Sequence, residues 1–159
     1  MDTPTSFAEA ALLNSLALLT SERAIDLAAR MLIEGIELPS VLELAAMTPA
    51  DDYGWQEVFG KVLRELGIEG KSPKDSAFEL VLQTSRDIGR GRVDAIDGAK
   101  FIWQNLWQPW CDERVTPFVA MLDELEDQNP PTREELAGEI RDYAKSLLHL
   151  YSDNDGGSN

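Results

Sequence analysis

The chain has 159 residues, 43% of them hydrophobic and 27% charged, which is enough apolar material for a real core and too much for a disordered segment. Its 29 acidic against 14 basic residues leave a net charge of −15, which argues against nucleic acid and anionic membrane surfaces as direct ligands. The same charge suits a basic protein partner, and it equally suits a soluble protein kept apart from its own copies by repulsion.

A first helix is predicted over FAEAALLNSLALL, capped by Thr5 or Ser6 and apolar nearly all round, as core helices are. Thr20 or Ser21 restarts the chain, and Ala24, Ile25, Ala28, Met31 and Leu32 mark the inner face of a second helix that Gly35 stops. A short third helix follows over 39–47, with Pro39 in its tolerated first turn. Pro49 with Asp51 and Asp52 introduces a fourth, built on Trp55, Val58, Phe59, Val62, Leu63 and Leu66 and closed by Gly67. Gly60 inside it either admits a close helix neighbour or only weakens the helix.

Ser72-Pro73 with Asp75 is a helix start, and Phe78, Val81, Leu82, Ser85 and Ile88 give the fifth helix its inner face. Gly89 or Gly91 ends it, and Asp94 with Asp97 caps a sixth. At about 100° per residue, Ile96, Ala99, Ile102, Trp103, Leu106 and Trp107 share one side of that helix and Phe101 lies on the other. Pro109 ends it near Trp107 and leaves Trp110 on a loop. Thr116-Pro117 begins a short seventh helix running into DELED. After Pro130-Pro131, Thr132 and Glu135 form a capping box for the last helix, with Leu136, Ile140, Tyr143, Ala144, Leu147 and Tyr151 inward.

No stretch reads as a strand, so the expected class is all-α: a single domain over 1–151, a compact bundle of about eight helices, with a disordered polar tail over 152–159. The segments ARMLIEGIELPSVLELA and SRDIGRGRVDAIDGAKFI echo one another when Arg30 is set against Arg86, which suggests stacked helical hairpins.

A catalytic constellation is missing from the pattern. His149 and Cys111 are the only residues of their kinds, so a zinc site fails on ligand count, and Ser146 stands where a di-iron bundle needs a carboxylate. His149 reads as a helix C-terminal cation. Cys111 rules out an internal disulfide, fits a reducing compartment, and reads as a partly buried small apolar residue beside the acidic Asp112 and Glu113. Gly89-Arg90-Gly91 is too short to cradle phosphate and lacks the Lys-Ser/Thr that would follow. No cofactor is expected. An enzyme survives only as a carboxylate chemistry without histidine. The opening MDTPTSFAEA lacks a secretory signal's basic residues, and AALLNSLALL is too short to span a bilayer, so a cytoplasmic location is expected.

Acidic side chains crowd residues 123–127, where they oppose the dipole of the helix they close. Such a run is either a solvated helix end or a docking patch for a basic partner. Trp103 and Trp107 are expected in the core, and Phe101 and Trp110 as exposed anchors of a binding surface.

Gly91-Arg92-Val93-Asp94, then Gly98-Ala99-Lys100-Phe101-Ile102-Trp103, then Pro117-Phe118 and the acidic run resemble a recurring pattern in small helical bacterial proteins. That resemblance covers the second half of the chain and implies a helical fold without implying an activity. In size, acidity and helical character the chain is also similar to the immunity proteins of bacterial toxin systems, which neutralise basic nucleases or pore-forming toxins by binding them. The expectation is therefore a non-catalytic protein-binding module, an immunity or antitoxin-type inhibitor and a monomer or weak dimer. Its basic partner, a toxin or nuclease, would be held through Phe101, Trp110, Asp123, Glu124, Glu126 and Asp127. The alternative is a helical scaffold subunit of a larger bacterial assembly.

Overall fold

The structure, a computed structural model, describes residues 6–50, 54–108 and 110–152. Among them it holds eight α-helices and no strand: α1 Phe7–Ser15, α2 Ser21–Ile33, α3 Pro39–Ala46, α4 Trp55–Glu65, α5 Pro73–Gly89, α6 Ala95–Phe101, α7 Thr116–Asp123 and α8 Arg133–Ser152. A π-helical segment, Ile102–Trp107, prolongs α6, and a 3-10 turn, Glu124–Glu126, prolongs α7. The expected cap Thr5, the start signal Asp51–Asp52, the stop Pro109 and the tail after Ser152 lie outside the described residues.

Helix starts follow the capping chemistry of the sequence. The hydroxyls of Ser6 and Thr20 accept from the backbone N–H groups of Glu9 and Arg23 at 3.2 and 3.4 Å. Ser72 and Asp94 do the same for Asp75 and Asp97, at 3.2 and 3.1 Å. The capping box of α8 is complete: Glu135 N–H donates to the Thr132 hydroxyl and Thr132 N–H to the Glu135 carboxylate. One start uses a distant residue instead. Leu38 precedes α3 and offers no polar atom, so Glu65 reaches in from the end of α4 to accept from the Ser40 N–H at 3.3 Å and its hydroxyl at 2.8 Å.

Four helix ends share one geometry, a left-handed residue whose flanking N–H groups turn back onto the last turn. Gly35, Gly67 and Gly91 supply it at φ +94°, +68° and +70°. Ile36, Ile68 and Arg92 then donate to the carbonyls of Met31, Leu63 and Asp87. The fourth is Ala17, at φ +56°, with Leu18 N–H donating to Leu13. This end is a correction to the sequence reading, which carries the first helix on to residue 19. The apolar run continues, but the helix stops at Ser15 because Ala17 adopts a conformation that only a glycine usually takes.

The chain divides into two compact units between Ser76 and Ala77, inside α5, where no change of composition marks a linker. In the first unit, Phe59 of α4 is fully buried and meets Phe7 of α1 and Trp55 at ring-centroid distances of 6.4 and 6.2 Å. Val41 and Leu44 of α3 and Leu27 and Ala28 of α2 are also fully buried. In the second unit the fully buried set includes Ile88, Ile96, Ile102, Phe118, Leu136 and Ile140. There α5 and α6 approach closely at Gly98, where a Cβ would stand 2.7 Å from the Ile88 side chain.

Candidate functional site

The acidic run and the tryptophans 103, 107 and 110 all lie in the second unit, and the segment between α6 and α7 carries those three rings. The sequence reading continues an α-helix to Trp107. The chain stays helical to that point but widens after Phe101, and Asn105 offers a local cause. In an α-helix the Phe101 carbonyl would accept from the backbone N–H of Asn105; here the side-chain amide of Asn105 donates to it at 3.1 Å. A side-chain donor competing at that carbonyl favours the wider turn.

The widened turn changes which aromatic faces out. Ile102 and Leu106 are buried, whereas Trp103, expected in the core, is 40% exposed. Trp107 and Phe101 are half-buried, as is Trp110 in the turn that follows. The 100° spacing that placed Trp103 inside does not hold across a π-helical turn. Cys111 is a second correction, being exposed rather than partly buried, in left-handed backbone at φ +48°. Its N–H donates to the Trp107 carbonyl at 2.8 Å, so the chain reverses there without a glycine.

Beyond the reversal, a polar and aromatic clasp fixes the loop. Arg114 donates to both carboxylate oxygens of Asp112, with the shortest contact at 2.6 Å, and its guanidinium lies 3.5 Å from the Phe78 ring centroid. The Asp112 hydrogen bond holds Arg114 above the ordinary Arg value, against the burial that lowers it. Tyr143 of α8 donates its hydroxyl to the Arg114 carbonyl and sets its ring edge-on to Phe118 at 5.0 Å. Burial first, then the Tyr151 and Asp112 charges, keep the Tyr143 phenol above its usual range. Tyr151 stands edge-on to Phe78 at 5.1 Å. Trp107 joins the same loop, its indole N–H donating to Thr116, whose hydroxyl donates to the Asp112 carbonyl. These partners satisfy one another, so the clasp is a positioning device for the loop.

The acidic run is different. Asp123 ends α7; Glu124, half-buried, opens the 3-10 turn, and Glu126 and Asp127 are exposed. Among the described residues no lysine or arginine forms an ion pair with these four. Glu139 of α8 joins them. The Glu124 carboxyl is held above the ordinary Glu range by local desolvation first, then by the charge of Glu139 and a hydrogen bond with it, and by Asp127. Glu139 is absent from the sequence-based set because Pro130-Pro131 and a change of helix separate it from Glu124, and nothing in its own stretch signals the contact. The structure thus brings Glu124, Asp127 and Glu139 together, and places Phe101 at the end of α6 and Trp110 in the turn before α7, both half-buried.

Among the described residues no group of three or more His, Cys, Asp or Glu side chains is arranged to hold a metal ion. No described helix is long and apolar enough to cross a membrane. No protein-family model matches the chain, and comparison with curated proteins and with solved structures gives no match either.

Proposed function

We propose that this chain is a non-catalytic, cytoplasmic protein-binding module of the immunity or antitoxin type, which neutralises a basic partner through its acidic surface. The observation that carries the reading is the crowding of Glu124 with Glu139 and Asp127, none of which forms an ion pair with a lysine or arginine among the described residues. Like charges held together raise the local negative potential, and a basic partner relieves the repulsion when it docks. Asp123 and Glu126 extend the charged rim. Phe101 and Trp110 supply half-buried aromatic surface, and Trp103 supplies a more exposed ring of the kind that anchors interfaces.

The test is affinity capture from host lysate at low and high salt, with the wild-type chain beside a Glu124→Lys, Asp127→Lys variant. A basic protein captured by the wild type at low salt, shed at high salt and missed by the variant is the expected result. A captured set that charge reversal leaves unchanged overturns the reading. A second reading, a helical scaffold subunit of a larger bacterial assembly, is favoured by the exposed apolar side chains Ile33, Leu42, Trp103 and Leu150. It predicts a stoichiometric partner that survives high salt.

A further inference from the structure

We draw no further inference here: the strongest candidate, the exposed apolar side chains Ile33 and Leu42 on the α2–α3 hairpin, is an unpartnered face, and nothing in the structure shows what covers it.

Discussion

In the first unit α1, α2 and α4 end alike, each with a left-handed residue followed by an apolar one: Ala17-Leu18, Gly35-Ile36 and Gly67-Ile68. In the second unit α5 ends with the same backbone turn, but the residue after Gly91 is Arg92, which pairs with Asp87 at 3.9 Å where the others place two apolar side chains. From there on the second unit departs further from regular geometry. It contains the π-helical segment, the left-handed Cys111, the Asp112–Arg114 clasp and the 3-10 turn that carries the acidic residues. The ends in the first unit close through backbone hydrogen bonds, whereas these segments also use side-chain ones, from the Asn105 amide to the Phe101 carbonyl and from Arg114 to Asp112. The candidate site lies where the backbone is least regular, and departures from local rules are expected at functional sites.

The contrast is sharpest between two glycines. Gly98 is buried, and an added methyl there would stand 2.7 and 2.8 Å from Cδ1 and Cγ1 of Ile88, itself fully buried, so that side chain would have to shift within the core. Gly60, in α4, would place its methyl no nearer than 3.8 Å, against the far end of Arg64. Gly98→Ala should therefore destabilise by about 1–3 kcal/mol through overpacking. Gly60→Ala should stabilise by about 0.5–1 kcal/mol through helix propensity. Urea unfolding of both variants checks the pair, and shifts of the same sign would remove the distinction.

Next in size is the clasp. Arg114→Ala removes the guanidinium from Asp112, whose side chain is only 15% exposed, and uncovers the Phe78 ring. The Arg114 side chain is itself 38% exposed, so solvent screens part of the ion pair, and a loss of about 1–2 kcal/mol is expected. Because Trp107 is tied to the same loop through Thr116, acrylamide quenching of tryptophan emission should increase as well. Unchanged quenching with lowered stability would show that the clasp does not hold the loop.

Caps and stops were legible in the sequence because each is a local device: Ser6, Thr20, Ser72, Asp94 and Thr132 act within a single turn, and Gly35, Gly67 and Gly91 carry their own signal. What stayed hidden depends on residues far apart or on an unmarked exception. Glu65 caps α3 from 25 residues away, and Glu139 meets Glu124 across the Pro130-Pro131 pair and a change of helix. Ala17 stops α1 without a glycine. Trp103 faces outward because the helical period itself changes after Phe101, and the sequence marks that change through the amide of Asn105. The acidic run was legible as composition; its crowding required the fold.

Ala17 provides a smaller test from the first unit. A left-handed alanine costs about 1–2 kcal/mol that glycine avoids, offset in part by glycine's larger entropy when unfolded. Ala17→Gly should raise stability by about 0.5–1 kcal/mol, seen as a higher thermal midpoint, and bring the end of α1 into line with those of α2 and α4. A lower midpoint would mean that Ala17 is held by packing and not by its backbone turn.

The smallest effect is the one that bears on function. Glu124 binds its proton more tightly in the folded chain than in the unfolded one, because desolvation and the charges of Glu139 and Asp127 disfavour its ionised form. Between the ordinary value of 4.5 and the raised one, the folded state holds more protons, so stability falls as pH rises through that window. At neutral pH the full penalty is present; well below 4.5 both states are protonated and it vanishes. Glu124→Gln should accordingly be more stable than the wild type at neutral pH, with the difference closing on acidification. The same substitution removes a charge from the proposed docking surface and should slow association with a basic partner, most visibly at low salt. A helix end that is only solvated would show the first effect without the second, whereas a docking surface gains stability and loses association rate in a single substitution.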